Sequence, residues 1–481
     1  MTMVIDPSTS SGLRAASATD ARDVFGRSWA GRRVAVVGLG KSGVAAAELL
    51  RRAGCRVRAT DARRTPQLEA LQASWRAQDI DAVELGAHTE SFIEGSDLVV
   101  VSPGVAESSG PMLWARRRQI PIMSEIDLAF HFCPSPIVAV TGTNGKSTAV
   151  TLIADILRAS GRAAVACGNL GTPFSSVVGS LTPEMAAVVE VSSFQLLWCE
   201  QFRPRIGVLL NIGTNHLDRH QDAAAYLAAK ARLFQRQTAE EWAVLNGRDP
   251  RVAAIGERCR ARRVWFGENR SNPPALQLAE ATRRVLNDNA QAVLQVARLL
   301  GVADPLAWQV LRGFRGLEHR LERVATIRGV EVINDSKSTT PDSVLFALSQ
   351  IRGDVVVILG GRNKGLDFQP LVEPLRESRV KGIVLIGESR GQLRRMLNGA
   401  PTVCERETLE EAVTAALAYA HPGTTVVFSP ACASFDMFRD FEHRGHAFKR
   451  IIRKLAQGSR LEAQGNRSCL QPSAFSLERV L

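Results

Sequence analysis

Ile137-Val138-Ala139-Val140-Thr141-Gly142-Thr143-Asn144-Gly145-Lys146-Ser147-Thr148 sets the terms on which the rest of the chain is read. Its apolar, β-branched start is a buried strand, and it stops at two glycines followed by a lysine and two hydroxyls. Val150, Ile153, Ala154 and Leu157 then recur at helical spacing, so the loop joins a strand to the N-terminus of an amphipathic helix. Such a loop is a phosphate cradle. N–H groups at the helix start point toward bound oxygens, glycine allows close approach, Lys146 reaches β- and γ-phosphates, and Ser147 can ligate Mg²⁺. The spacing departs from the usual nucleotide-binding loop, since Val140 stands five positions before Gly145 and only Thr143-Asn144 separate the glycines. A plain strand-to-helix turn would have little use for the lysine and the paired hydroxyls.

The 481 residues exceed what one core usually fills, so two or three domains are expected. With 45% hydrophobic and 22% charged residues the composition is that of a soluble globular protein. The net charge of +12 invites an anionic partner, but the basic residues are dispersed and only 6% of residues are aromatic, which favours anionic small molecules over nucleic acid. Eight cysteines lie far apart without a C-x-x-C pair, as expected of packed thiols in a reducing cytoplasm. No apolar run approaches the roughly 18 residues of a membrane span. The N-terminus lacks the order of a secretory signal, and residues 1–27 read as a flexible extension.

Upstream of the cradle, Val34-Ala35-Val36-Val37 runs into Gly38-Leu39-Gly40-Lys41-Ser42-Gly43, a strand, a G-x-G-x-x-G turn and a helix. Ala46, Leu49, Leu50 and Ala53 form the buried face of that helix, and Gly54 ends it. The strand Arg56 to Thr60 carries Asp61 to its end, where an acid can meet a ribose; the pattern suits uridine nucleotides, NAD or flavin alike. Leu98 to Val101 opens onto Ser102-Pro103-Gly104-Val105, a turn or a ligand-facing loop. Cys133-Pro134-Ser135-Pro136 reads as a hinge.

Downstream, Gly168-Asn169-Leu170-Gly171-Thr172-Pro173 is a further loop. Ala187 to Gln195 reads as one buried strand that brings Glu190 to the sheet edge where ligands gather, a carboxylate suited to Mg²⁺. Ile206 to Asn211 is another strand and delivers His216 to the same edge, in a metal or phosphate role. Tyr226 and Lys230 lie one helical turn apart and share a face, although composition alone makes Lys230 a surface amine. Past a boundary at Gly313 to Arg320, Val332-Ile333-Asn334 ends in Asp335-Ser336-Lys337-Ser338-Thr339-Thr340-Pro341. Val355 to Leu359, Ile383 to Ile386 and Val426 to Phe428 likewise open onto polar loops, making four strand-to-loop units of a third α/β domain. Residues 458–481 lose periodicity and read as a disordered tail.

Thr141 to Thr148, Glu190 to Gln195, Asn215-His216-Leu217-Asp218-Arg219, and Tyr226 with Lys230 together resemble the central domain of the ATP-dependent Mur ligases. Gly38 to Gly43, Ser102-Pro103-Gly104, Gly360-Gly361-Arg362-Asn363-Lys364, and Ser429 to Phe435 with Phe441, Arg444 and Gly445 are similar to the members that add D-glutamate to UDP-N-acetylmuramoyl-L-alanine. The resemblance covers residues 30–455 and implies an α/β protein of three domains. These are a Rossmann-like UDP-binding domain (28–133), a P-loop-type ATP-binding domain (134–316) and a Rossmann-like glutamate-binding domain (317–457). It further implies an amide-bond-forming ligase of cytoplasmic peptidoglycan precursor synthesis that works through an acyl phosphate and releases ADP and phosphate. The expected partners are ATP, Mg²⁺ and the two substrates, with no nucleic acid and no membrane span, in a monomer.

By the same resemblance, ATP is held by Gly142, Thr143, Asn144, Gly145, Lys146, Ser147, Thr148, Asn289, Arg320 and Asp335. The UDP substrate falls to Gly38, Gly40, Ser42, Gly43, Ala62, Arg63, Asn169 and His216, and glutamate to Thr339, Lys364, Ser434, Phe435 and Phe441. Lys146, Glu190, His216, Lys230 and Lys337 are the catalytic set, and Ser147, Glu190, His216 and Lys230 the metal ligands. Lys230 matches the family's carbamylated lysine, whose carbamate offers Mg²⁺ anionic oxygen where an ammonium would repel it. Asn215 stands where relatives often carry Asp, and no His-Asn pair precedes Asn289. The aspartate-asparagine-proline-arginine motif of diaminopimelate-adding relatives is absent. The alternatives are a ligase of the same fold acting on folate or L-glutamate, an oxidoreductase built on Gly38 to Asp61, and a nucleic-acid-binding ATPase.

Overall fold

The computed structural model describes residues 22–76, 80–213, 222–267, 280–314, 316–363, 365–400 and 402–468. Short β-branched runs, buried on both faces, build three sheets in succession, as parallel strands covered by helices require. Strands β1 (Arg33–Val37), β2 (Arg56–Asp61), β3 (Ala82–Leu85), β4 (Leu98–Val101) and β5 (Ile122–Ser124) are all parallel, in the order β3-β2-β1-β4-β5. The second sheet holds β6 (Ile137–Thr141), β7 (Ala164–Gly168), β8 (Ala186–Glu190), β9 (Ile206–Leu209), β10 (Trp242–Asn246) and β11 (Arg262–Phe266). It too is parallel, in the order β11-β10-β9-β6-β8-β7. The third comprises β12 (Glu322–Ile327), β13 (Val330–Asn334), β14 (Val355–Gly360), β15 (Val380–Ile386), β16 (Val403–Glu405) and β17 (Thr425–Phe428). Its order is β12-β13-β17-β14-β15-β16, and β12 alone runs antiparallel to its neighbour.

The first two sheets belong to one compact unit and the third to another. Within the first unit a single apolar cluster runs through both sheets, from Val34, Val36 and Leu50 through Ile126, Leu128 and Phe130 to Phe174, Leu196 and Phe202. The helix Glu125–Phe132 is the bridge. Glu125 accepts the Ser175 N–H at 2.6 Å, and Asp127 accepts the Glu200 N–H at 2.7 Å, so two buried carboxylates reach from the end of the first sheet to the backbone of segments that connect strands of the second. Burial pushes the Glu125 carboxyl up to about 7 and that of Asp127 up to about 6, against the pull of those N–H donors.

Cys133 to Pro136, expected as a hinge, is packed into the first unit: Cys133 is buried in the shared cluster and the Ser135 hydroxyl donates to the Thr182 carbonyl. The extension expected over residues 1–27 ends earlier, because Asp23 is buried and accepts hydrogen bonds from Phe25 N–H, Arg27 N–H and Trp29 Nε1. The strand expected to run to Gln195 stops at Glu190, where Ser192 and Gln195 form a capping box for the short helix Ser193–Leu196. The third sheet has six strands rather than four; β12 was hidden because its residues lie half exposed at an edge and carry charges. The final helix spans Phe441–Ser468, past the expected end of order at 457. Among the described residues no helix is long and apolar enough to cross a membrane.

Candidate functional site

The phosphate loop leaves β6 at the place where strand order reverses, with β8 on one side and β9 on the other, the crevice at which parallel sheets bind ligands. Gly145 adopts φ +86° just before the helix Lys146–Ala159, and a Cβ there would lie 2.3 Å from Asn289 Nδ2, so only glycine fits. Asn289 is buried and its Nδ2 has no hydrogen-bond partner among the described residues, a donor left over beside the loop. The loop is braced from β9 by Asn211. Its side chain pairs with both backbone groups of Asn144, accepting from N–H at 2.9 Å and donating to the carbonyl at 3.1 Å. Thr143 shares a 3.0 Å hydrogen bond with the Tyr226 hydroxyl and accepts the Gly213 N–H at 2.7 Å.

Two lysines converge on this loop. Lys146 Nζ donates to the carbonyls of Gly142 and Thr143 at 2.9 and 2.7 Å. Lys230 Nζ, buried rather than on the surface, donates to the same Gly142 carbonyl at 3.0 Å and sits 4.7 Å above the Tyr226 ring. Burial, then the charge of Lys146, hold Lys230 well below the usual lysine range, while Glu190 acts the other way. Glu190 ends β8 and accepts the Ser147 hydroxyl at 2.7 Å and Asn169 Nδ2 at 2.9 Å. Asn169 therefore orients Glu190. Lys146, Ser147, Glu190 and Lys230 thus share one edge of one sheet, and Thr148 lies in the first helical turn beside them. Asn215 and His216 lie outside the described residues.

On the first sheet, Gly38 to Gly43 wraps the end of β1, and a Cβ on Gly43 would meet the Gly38 carbonyl oxygen at 1.8 Å. Ser102 donates to that carbonyl at 2.7 Å, so the Ser102-Pro103-Gly104 turn is tied to the glycine loop. Asp61 is already engaged: Leu39 N–H donates to it at 2.7 Å and the Arg63 guanidinium grips both of its oxygens at 2.9 Å. Its carboxylate shapes the loop. Gly40, Ala62 and Arg63 are exposed and Ser42 half-buried around it.

In the second unit, Asp335 follows β13 and accepts the hydroxyls of Ser338 and Ser429 and the Leu321 N–H. Burial outweighs these donors and pushes its carboxyl up to about 6; the nearby Arg320 charge pulls the other way. Lys337 Nζ lies 5.6 Å above the Phe441 ring. Thr339 is half-buried, Ser434 buried and Phe435 exposed, while Lys364 lies outside the described residues. Arg320 and Asp335 belong to this unit, the phosphate loop to the other. Glu318, His319 and His446 bring potential metal-binding atoms within 4.8 Å of one another. Hydrogen bonding argues against a metal there. Asn334 Nδ2, held by Glu322, also faces His319 Nδ1 at 2.9 Å, which makes Nδ1 the acceptor and leaves the proton on Nε2, and the Lys449 ammonium already occupies Glu318 and Glu322.

Asn211, two residues past β9, carries no spacing signal in the sequence; its place facing the loop follows from the pairing of β6 with β9.

Sequence comparison matches the Mur ligase middle domain to residues 140–296, the Mur ligase glutamate ligase domain to 319–432 and the Mur ligase MurD-like N-terminal domain to 32–124. A UDP-N-acetylmuramoylalanine–D-glutamate ligase of Desulfosudis oleivorans is 38% identical over 449 residues, which cover 89% of this chain and 97% of that protein. One from Anaeromyxobacter dehalogenans is 41% identical over 459 residues, covering 89% and 98%. Among solved structures, MurF ligase from Thermotoga maritima in complex with ADP aligns with a TM-score of 0.55 at 15% identity, over 91% of this chain and 98% of that one, a likeness of fold.

Proposed function

The chain belongs to the Mur ligase family, and from that premise we propose how its residues join D-glutamate to UDP-N-acetylmuramoyl-L-alanine with ATP. It is an ATP-dependent amide-bond-forming ligase of peptidoglycan precursor synthesis. The observation that carries the residue assignment is the meeting of Lys146, Ser147, Glu190 and Lys230 on one glycine loop at the reversal point of the second sheet.

A carboxylate oxygen is a poor leaving group, so the alanine carboxylate must be activated. One of its oxygens attacks the γ-phosphorus of ATP, ADP departs, and an acyl phosphate remains. The amine of glutamate then attacks the carbonyl carbon, loses a proton, and expels phosphate as the amide forms. Attack of one anion on another requires cations and placement. Lys146 moves from the Gly142 and Thr143 carbonyls to the β- and γ-phosphates, and the loop N–H groups hold the rest of the chain of phosphates. Asn289, with its unpartnered Nδ2 beside Gly145, takes the adenine end.

The Ser147 hydroxyl and the Glu190 carboxylate are hard oxygen donors that suit Mg²⁺, with His216 and carbamylated Lys230 completing the set. Bound there, the ion would neutralise charge on the phosphate oxygens. A lysine reacts with carbon dioxide only as the neutral amine, and the depressed pKa of Lys230 supplies that form: the amine forms a C–N bond and releases a proton. The first sheet's glycine loop takes the UDP moiety, with Ser42, Ala62 and Arg63 at its rim. In the second unit, Lys337, Thr339, Lys364, Ser434, Phe435 and Phe441 receive glutamate, and Arg320 and Asp335 meet ATP. The enzyme works as a monomer in the cytoplasm, where the described cysteines, all unpaired, stay reduced.

ADP release, measured with UDP-N-acetylmuramoyl-L-alanine and either enantiomer of glutamate, tests the reaction. D-glutamate should drive it; a preference for L-glutamate would overturn the stereochemical assignment. For Lys230, the intact protein weighed under mild conditions should carry the added mass of carbon dioxide, and Lys230→Ala should lose about 10²-fold or more in turnover, regained in part with short carboxylates. An unmodified lysine in the active protein would refute the carbamate.

A further inference from the structure

Arg444 is among the largest fully buried side chains, and its three hydrogen bonds all go to neutral oxygens. Nε donates to Ser336 Oγ at 3.1 Å, Nη2 to the Ser336 carbonyl at 2.8 Å, and Nη1 to the Cys432 carbonyl at 3.0 Å. Ser336 Oγ in turn donates to the Phe441 carbonyl at 2.8 Å. A Cβ on Gly361 would come within 3.2 Å of Nη1, so the loop after β14 also closes on this guanidinium. One side chain therefore ties together the loops after β13, β14 and β17 and the start of the final helix. Those segments carry Lys337 and Thr339, Ser434 and Phe435, and Phe441.

We propose that Arg444 is a positioning residue for the amino-acid substrate: it sets the mutual placement of the loops that receive glutamate and holds a positive charge behind them. Planar and five-donor, a guanidinium can bridge two carbonyls and a hydroxyl in fixed geometry, which an ammonium cannot. No carboxylate hydrogen-bonds to this buried guanidinium; the Asp436 charge offsets part of its burial cost, and an anionic ligand arriving at the adjoining loops would offset more. Glutamate brings two carboxylates. The inference deepens the ligase reading given above and rests on it.

The test compares Arg444→Lys and Ser336→Ala with the unaltered chain, reading ADP release against each substrate in turn with the other two saturating. Arg444→Lys should raise the KM for D-glutamate about tenfold or more while the KM values for ATP and the UDP substrate stay within about twofold. Ser336→Ala, which removes the hydroxyl but keeps the Arg444 charge, should raise the glutamate KM by a smaller factor; it carries the test if Arg444→Lys does not fold. A wild-type glutamate KM in the folded variants, or an equal rise in all three KM values, would overturn the proposal while leaving the ligase reading intact. Absence of glutamate-dependent ADP release from the unaltered chain would instead defeat that reading.

Discussion

The phosphate loop and the loops around Arg444 solve opposite electrostatic problems. At Gly142 two lysines donate to one carbonyl, and burial first, with the like charge of Lys146 after it, depresses the proton affinity of the inner one, Lys230. Around Arg444 a single cation stays charged and is satisfied by hydroxyl and carbonyl oxygens. Burial does pull this guanidinium down, to about 10, still well above neutrality. The contrast follows from the groups. A lysine can surrender its proton and become a nucleophile, whereas a guanidinium cannot at ordinary pH, so the first arrangement permits covalent change and the second fixes geometry.

The largest effect that would break this contrast is at Lys146. Lys146→Ala should lower ATP-dependent turnover about 10³-fold, roughly 4 kcal/mol of transition-state stabilisation, with thermal stability nearly unchanged because its ammonium is only part-buried. Near-normal turnover would mean that the loop does not hold the phosphates.

A third buried ionisable site sharpens the comparison through pH. The folded pKa of Glu125, about 7, lies above its ordinary value of 4.5, so the folded state holds the proton more tightly. Stability from this group is complete below the unfolded value and is lost as pH rises through 7, a change of about 3 kcal/mol. Glu125→Gln should remove that slope from chemical denaturation midpoints taken between pH 5 and pH 8, an interval about the width of the shift. An unchanged slope would show the carboxyl to be ionised in the fold.

The smallest effect is expected at Asn211. Asn211→Ala removes both hydrogen bonds to Asn144 and should raise the KM for ATP several-fold, with about 1–2 kcal/mol of stability lost. An unaltered KM would show that the loop keeps its shape without this brace.

How much of this was legible in the chain depended on whether a signal was local. The strand-loop-helix units at Gly38, Gly142 and Gly360 could be read because apolar runs and glycines are contiguous, and Lys146, Ser147 and Glu190 followed from standing at strand ends. Burial of Lys230 could not be read, since Tyr226 and Lys230 share a helical face whichever way that face turns. Asn211 and Glu125 act across strands or between sheets, through partners 67 and 50 residues away. For Asp61 the strand end was visible, but the Leu39 N–H and the Arg63 guanidinium that engage its oxygens were not. β12 escaped because an exposed edge strand has no apolar run to betray it.

The bridge from Glu125 to Phe132 has a practical corollary. A gene divided at Pro134 would leave Ile126, Leu128 and Phe130 on one fragment and Phe174, Leu196 and Phe202 on the other, the two halves of a single apolar interior laid bare. Both fragments should aggregate when made alone, and coexpression should recover them as a complex, so shorter versions of this protein are better cut after the second sheet than between the first and the second.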